Sequence, residues 1–304
     1  MININNIKLI KGDCLEVMKD VPDKSIDMIL CDLPYGTTRC KWDTIIPLND
    51  YVVVDNKIFY ENEYLLYAMQ EDDKSFEYNR QWFDENKKTG LWSHYNRIIK
   101  DNGVILLFAQ TPFDKVLGSS NLNMLKYEWI WEKTQATGHL NAKKMPMKAH
   151  ENILVFYKKL PTYNPQITEG HTPVHSYTKY IETQNNTELY GTLSKEVSGG
   201  GSTKRYPRSV QIFSSDKQKE HLHPTQKPVA LLEYLIKTYA NEGDLILDNC
   251  FGSCSTGIAC IKTNRNFIGI EKYDKYFDIG VNRINTYLKD NNLERHWNVE
   301  INLI

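Results

Sequence analysis

Short apolar segments alternate with amphipathic segments along most of this chain. The apolar segments, four to six residues long, are rich in β-branched or aromatic side chains and favour buried strands. The amphipathic segments carry apolar residues three and four positions apart, as helices do. This alternation predicts an α/β fold with a largely parallel sheet. The predicted strands are 7–10, 26–31, 104–108, 127–131, 152–157, 245–248 and 266–270, and the predicted helices are 15–20, 91–100, 229–239 and 256–262.

Two regions interrupt this alternation. Residues 49–90 are acidic and rich in Tyr, with a hairpin strand predicted at Val52–Val54 and a helix at Tyr64–Glu71, so we interpret them as an insertion. Residues 161–220 are polar and glycine-containing, which fits either a small separate lobe or a mobile loop. Within the regular part, we expect a turn at 101–103.

Composition narrows the class of protein. The 304 residues, 41% hydrophobic and 25% charged, suffice for one large or two smaller globular domains. No apolar run approaches the roughly 18 residues of a membrane-spanning helix, and residues 1–13 carry no secretion signal. We therefore expect no membrane association and a cytoplasmic location. The six cysteines include no Cys-x-x-Cys pair, which favours reduced thiols and no metal site.

The formal net charge of −1 means that any surface binding a polyanion must be local. Two basic groups qualify, although a solvated surface would give the same pattern. The first lies in a long basic loop predicted between strands 127–131 and 152–157, and the second includes Tyr206, an aromatic ring among guanidinium groups. The groups are Lys133, Lys143, Lys144 and Lys148, and Lys204, Arg205, Arg208, Lys217 and Lys219.

The strand at 26–31 ends in Asp32-Leu33-Pro34-Tyr35-Gly36. In an open α/β sheet, ligands bind at the carboxyl edge of the strands, so Asp32 and Tyr35 are expected at a ligand site. A carboxylate beside a flat ring suits a planar heterocycle with an exocyclic amine. Nucleobases meet that description.

The last third of the chain follows the plan of a cofactor-binding half. Strand, small-residue loop, helix and strand lead to Glu271, which follows Gly252 by 19 residues. That spacing is close to the one at which an acid reaches ribose hydroxyls. Before this unit, Lys227-Pro228 opens a helix whose free amides could bind a carboxylate.

These motifs resemble those of the amino-group DNA methyltransferases. Residues 32–35 are similar to the catalytic motif Asp/Asn/Ser-Pro-Pro-Tyr/Phe, with Leu33 in place of the first proline. Residues 248–257 are similar to Asp-Pro-Phe-x-Gly-Ser-Gly-Thr/Ser-Thr-Gly, with Asn249, Cys250 and Cys254 as the departures. Residues 223–228, His-Pro-Thr-Gln-Lys-Pro, match the motif that precedes this loop. The motif order is that of the β arrangement, a circular permutation of the usual Rossmann-like methyltransferase sheet.

The resemblance implies S-adenosylmethionine as cofactor and a flipped base in double-stranded DNA as substrate. Asp32 and the Leu33 carbonyl would accept the amine hydrogens, Pro34 would complete the turn, and Tyr35 would stack on the base. It further implies a catalytic half at 1–160, a target-recognition region at 161–220 and a cofactor half at 221–304. The implied cofactor contacts are Asp13, Asp32, His223, Thr225, Gln226, Lys227, Asp248, Gly252, Ser253, Cys254, Ser255, Thr256 and Glu271, and the DNA contacts are Lys143, Lys144, Lys204, Arg205 and Arg208.

Several alternatives stay open. Adenine N6 is preferred to cytosine N4, because the Asp form of the motif is commoner among adenine enzymes. Leu33 and Cys254 leave room for a DNA-binding protein that lost catalysis. The missing Gly-x-Gly-x-x-Gly argues against a nicotinamide oxidoreductase. At Cys254 the side chain would either crowd the methionine end of the cofactor or require positive φ. Asp13 fits a helix cap as well as a cofactor contact. A homodimer and a cognate restriction endonuclease are compatible with the sequence.

Overall fold

The computed structural model describes residues 5–38, 40, 43–71, 74–174, 177–180, 196–215 and 226–303. The chain divides into two compact units, Met1–Asn164 with Ser209–Ile304, and Pro165–Arg208. The strands are β1 (Asn5–Lys11), β2 (Ile26–Cys31), β3 (Tyr51–Val54), β4 (Lys57–Tyr60), β5 (Ile99–Ala109), β6 (Leu125–Thr137), β7 (Lys148–Phe156), β8 (Tyr177–Tyr180), β9 (Glu196–Gly199), β10 (Val210–Phe213), β11 (Leu245–Asp248), β12 (Asn266–Glu271) and β13 (Trp297–Leu303).

The larger unit is built on a nine-stranded sheet in the order β10-β6-β7-β5-β2-β11-β12-β1-β13. Among these described strands, β7 alone runs antiparallel to its neighbours, β5 and β6. The strands β2 and β11, more than 200 residues apart in sequence, are paired in parallel, with Ile246 opposite Met28. The permuted order of an otherwise parallel α/β sheet, expected from the sequence, is therefore confirmed.

Helices cover both faces of this sheet. Successive side chains of a strand point to opposite faces, so Met28 and Leu30 lie in one core and Ile29 in the other. The first core also contains α6, α7 and α8, and the second contains α1, α4 and α5. The helices are α1 (Cys14–Val17), α2 (Glu61–Glu71), α3 (Phe76–Asn86), α4 (Leu91–Ile98), α5 (Phe113–Ser119), α6 (Val229–Tyr239), α7 (Ser255–Lys262) and α8 (Asp274–Asp290).

One local prediction is wrong and another is confirmed only in part. The turn expected at 101–103 lies inside β5, where the pairing passes from Ile26–Ile99 to Met28–Val104 and the extra residues are accommodated as an irregularity. The long basic loop is shorter than predicted, because β6 and β7 extend into it as far as Thr137 and Lys148 and leave residues 138–147 as the connection. In both places backbone pairing extends through residues whose polarity indicated a loop.

The insertion at 49–90 has a small core of its own. Its hairpin, β3 with β4, packs with α2 and α3 around Val52, Tyr64 and Phe83. The predicted hairpin strand and the helix α2 are confirmed. The helix α3 was not predicted, because its sequence is strongly polar and only Asn79 and Phe83 are buried.

The smaller unit contains the antiparallel pair β8–β9 and a bridge between Thr168 and Arg205. It lies within the range predicted for target recognition, whereas β10 of the same range joins the large sheet beside β6. Across the described chain, no helix has the length and apolarity needed to cross a membrane. All six cysteines are free, and the described residues contain no group of His, Cys, Asp and Glu suited to a metal ion.

Candidate active site

Four acidic residues lie at the carboxyl ends of four adjacent strands. Asp13 follows β1, Asp32 follows β2, Asp248 ends β11 and Glu271 ends β12. Because these strands are parallel, their carboxyl ends share one edge of the sheet. The fold thus brings together two acids from the first 32 residues and two from residues 248–271.

A cavity of about 480 Å³ opens at this edge. Its volume falls within the range of small-molecule sites. The residues of the predicted catalytic turn, Asp32, Leu33, Pro34 and Tyr35, all line it. Of the predicted cofactor contacts, Cys254 does not line it, and His223 and Thr225 lie outside the described residues. The others that line it are Asp13, Gln226, Lys227, Asp248, Gly252, Ser253, Ser255, Thr256 and Glu271.

The Asp32 carboxylate is held from two sides. The Tyr35 hydroxyl donates to its Oδ1 at 2.7 Å, and the Lys227 Nζ donates to its Oδ2. The Tyr35 ring stacks on Phe113, with centroids 5.4 Å apart. After the turn, Asp43 accepts hydrogen bonds from the Gly36 and Thr38 amides at 2.9 and 2.6 Å, which fixes the loop beside the cavity.

Lys227 begins a chain of buried charges that leads away from Asp32. Its Nζ lies 3.3 Å from Oε2 of Glu151, and Oε1 of Glu151 lies 2.6 Å from the Nζ of Lys133. The side chains of Lys227, Glu151 and Lys133 are at most 8% exposed. Lys133, predicted as a surface lysine of the first basic group, is therefore instead an interior ion-pair partner.

The pKa values follow from this arrangement. Burial raises the pKa of Asp32 above its ordinary value, and the charge of Lys227 opposes the rise. Burial alone would also raise the pKa of Glu151, but Lys227 and Lys133 lower it to about 2. Burial opposes the charge of Lys227, yet Asp32 and Glu151 raise its pKa. Lys227 is thus charged, and it favours the ionised form of both carboxylates.

The loop between β11 and α7 is held by the two acids beside it. Asp248 accepts hydrogen bonds from the Thr256 hydroxyl at 2.7 Å and the Cys250 amide at 3.1 Å. Burial raises its pKa to about 6 despite these bonds. Glu271 accepts from the amides of Gly252 and Tyr273 at 3.0 and 2.9 Å. These hydrogen bonds fix the conformation of the loop between β11 and α7 beside the cavity.

Cys254 occupies the position where two outcomes were expected. Its φ of 59° and ψ of 37° lie in the left-handed region, as the second alternative predicted. Its thiol is fully buried, and a Cβ placed on Gly257 or Gly280 would lie within 3.1 Å of its side chain. The side chain is thus buried in the core and does not line the cavity, which favours the second alternative.

Two other positions gain a structural explanation. Asn249, which replaces proline, accepts a buried hydrogen bond of 2.6 Å from the Tyr95 hydroxyl and so ties the loop to α4. Asp13 caps α1 by accepting from the Leu15 amide at 2.9 Å, and it also pairs with Lys272 at 3.0 Å. The cap predicted as one alternative for Asp13 is therefore present.

The predicted DNA contacts fall in both units. In the larger unit, Lys143 and Lys144 are exposed between β6 and β7. In the smaller unit, Lys204 pairs with Glu169 at 2.8 Å, and the Arg205 guanidinium donates to the carbonyl oxygens of Ser202, Lys204 and Thr172. Arg208 ends that unit. Lys217 and Lys219 lie outside the described residues.

The sequence did not indicate several residues that shape the site. Glu151, Asp43 and Phe113 were not singled out, and neither was Arg283, which donates at 2.9 Å to both the Ser253 carbonyl and the Ser255 hydroxyl. The one indication of these residues in the sequence was the position of Glu151, an acid immediately before a predicted apolar strand. A charge in such a position needs a buried partner.

The fold matches solved methyltransferases. The M1.HpyAVI–SAM complex superposes with a TM-score of 0.53 at 21% identity, covering 92% of this chain and 99% of that one. The cytosine-N4-specific PvuII DNA methyltransferase superposes with a TM-score of 0.57 at 14% identity, covering 98% and 96%. The parallel sheet with its cavity at the carboxyl edge is thus a Rossmann-like methyltransferase fold.

Sequence comparison then identifies the family. The model of the DNA methylases, N6_N4_Mtase, matches residues 26–282. The Type II methyltransferase M.HpaI of Haemophilus parainfluenzae is 26% identical over 284 residues, covering 92% of this chain and 74% of that protein. This chain belongs to the DNA methylase family. It is an S-adenosylmethionine-dependent DNA methyltransferase, as its motifs predicted.

Proposed function

We propose that this enzyme methylates the exocyclic N6 of adenine in double-stranded DNA. One observation carries the proposal: the Asp32–Tyr35 turn and the loop at 248–256 line the same cavity. A target amine and a cofactor could therefore meet without a large movement of either half. The fold alone leaves the base open, because a cytosine-N4-specific enzyme has a similar one. The Asp form of the motif favours adenine.

The residues of the cavity suit S-adenosylmethionine. The acids Asp13 and Glu271 offer acceptors for its polar groups, and Asp248 adds negative charge to the cavity, which would favour a cationic sulfonium. Ser255 and Thr256 at the start of α7 line the cavity, and the amides of a helix start favour a carboxylate. When bound, the cofactor supplies an electrophilic methyl group on positively charged sulfur. His223 and Thr225 stay predicted contacts.

Asp32 would act on the target amine. The amine lone pair is delocalised into the ring, and hydrogen bonds from its two hydrogens to Asp32 and the Leu33 carbonyl would localise it and direct it at the methyl group. Each carboxylate oxygen has two acceptor sites, so Asp32 can accept the amine while bonded to Tyr35 and Lys227. Phe113 supports one face of the Tyr35 ring, so the base would stack on the other.

The partner and domain assignments extend this proposal. The target-recognition role is assigned to 161–220, between a catalytic half at 1–160 and a cofactor half at 221–304. Lys204, Arg205 and Arg208 would contact phosphates, with Arg205 also holding its own unit together. A cytoplasmic location, a homodimer and a cognate restriction endonuclease stay predictions.

Expression in a host that lacks DNA methylation tests the proposal. Mass spectrometry of the nucleosides should detect N6-methyladenine in one sequence context, and none in cells expressing Asp32→Ala. Detection of N4-methylcytosine instead would show that the target base is cytosine and not adenine. Neither product, with DNA binding retained, would favour the alternative of a binding protein that lost catalysis.

A further inference from the structure

The extension of β6 and β7 projects from the same edge of the sheet as Asp32. The strand β7 runs opposite to β5, so its first residues lie at the carboxyl end of β5, beside that of β2. At its base, Glu151 contacts Lys227, the partner of Asp32. The residues beyond this base, 134–150, are defined here as the hairpin extension. It therefore begins next to the candidate catalytic turn.

Every residue of the hairpin extension is exposed. The apolar residues at its tip are exposed with the rest: Leu140 is 97% exposed, Met145 53% and Met147 38%. A leucine held almost completely in water at the end of a hairpin contributes little to the core of its own fold. Together with Met145 and Met147 it forms an exposed apolar tip that a partner surface could cover.

The charge of the hairpin extension identifies that partner. It contains Lys143, Lys144 and Lys148 and no Asp or Glu, in a chain whose acidic and basic residues nearly balance. A second copy of this hairpin would bring like charges together, whereas a polyanion would complement them. An apolar tip flanked by lysines matches a DNA duplex, with phosphates outside and stacked bases within.

We propose that the hairpin extension enters the duplex and that Leu140 fills the space left by the flipped target base. The inference rests on the proposed function. Proteins that distort DNA insert apolar wedges, leucine among them, between bases. Glu151 follows Lys148 by three positions in β7, so at about 3.3 Å per residue the tip starts roughly 10 Å beyond the base of the extension, comparable with a groove depth of about 8 Å. Lys143 and Lys144 hold the phosphates on either side.

The test compares two duplexes carrying the site mapped in expressing cells. One is fully paired, and the other has an abasic position opposite the target base. In the second duplex the target has no pairing to lose, so a wedge is not needed. Leu140→Ala should lower the single-turnover methylation rate at least tenfold on the paired duplex and less than twofold on the abasic one. Leu140→Met, which keeps an apolar tip, should stay within about threefold on both.

The matched control is Leu122→Ala, because Leu122 is 68% exposed but precedes β6 at the opposite edge of the sheet. It should leave both rates within twofold. Equal losses by Leu140→Ala on the two duplexes, or no loss on either, would overturn the wedge. An unchanged salt dependence of DNA binding in Lys143→Ala/Lys144→Ala would also overturn it, since each lost phosphate contact reduces the slope by about 0.9. Failure of the proposed function is distinct, because the wild-type protein would then methylate neither duplex or would form N4-methylcytosine in place of N6-methyladenine.

Discussion

The two oxygens of Asp32 each accept a hydrogen bond within the protein, one from a neutral hydroxyl and one from an ammonium group. The ammonium matters for charge, because burial alone favours the protonated acid and Lys227 opposes it. A protonated Asp32 would have fewer acceptor sites for the target amine. We therefore propose that Lys227 is a positioning residue that keeps the carboxylate of Asp32 ionised.

Lys227→Met should therefore move the acid limb of the kcat pH profile upward, by about one to three pH units. Without the lysine, the pKa of Asp32 rises, the ionised fraction falls at neutral pH, and a higher pH restores it. The measurement is kcat against pH at saturating cofactor and DNA. Lys237→Met, at an exposed lysine of α6, is the matched control. A rate that falls equally at all pH values would contradict this account.

Cys254 permits a second test at the residue scale. Cys254→Gly relieves about 1 kcal/mol of left-handed strain, but it removes a buried side chain worth about 0.8 kcal/mol per CH₂ and adds roughly 0.4–1 kcal/mol of unfolded-state freedom. We expect a small decrease in the free energy of unfolding, with S-adenosylmethionine affinity unchanged within about twofold. Calorimetric titration and thermal unfolding separate the two quantities. Tenfold tighter binding would mean that the thiol does crowd the cofactor.

At the scale of elements, one buried charge chain joins four of them. Lys133 on β6, Glu151 on β7, Lys227 before α6 and Asp32 after β2 are in contact in that order. Such a chain stabilises the fold only while its charges are matched, because an unpaired buried charge is strongly destabilising.

Glu151→Gln should lower the free energy of unfolding by about 3–5 kcal/mol at neutral pH. The pKa of Glu151 is lowered from 4.5 to about 2 in the folded state, so its contribution is complete above about pH 4.5 and is lost as the pH falls toward 2. Urea unfolding at pH 7 and pH 3.5 should show the difference from wild type narrowing at the lower pH. The exposed neighbour Glu132, changed to Gln, is the control. A difference that stays constant with pH would exclude the ion pairs as its cause.

At the scale of the whole molecule, the sequence indicated seven of the nine strands of the large sheet, all but β10 and β13, through their apolar runs, and the site through its motifs. It could not indicate the contact of Glu151 with Lys227, because that contact depends on β7 lying beside β5, an arrangement that no local pattern specifies. The helix α3 was not predicted because it buries only two residues. The turn predicted at 101–103 was wrong because these residues belong to an irregular part of β5. Local motifs of consecutive residues were predictable from the sequence. Contacts between side chains of elements that are distant in sequence were not.

We propose that one cavity serves both halves of the reaction and that Asp32 acts on the target amine. The most direct measurement is methyl transfer from labelled S-adenosylmethionine to DNA by the purified Asp32→Ala variant, together with calorimetric titration of the cofactor. Transfer should fall by about two to three orders of magnitude or more, with cofactor affinity within a few fold of wild type. Asp20→Ala, at an exposed carboxylate outside the cavity, should change neither quantity. Intact turnover by Asp32→Ala would remove Asp32 from the mechanism and contradict the account.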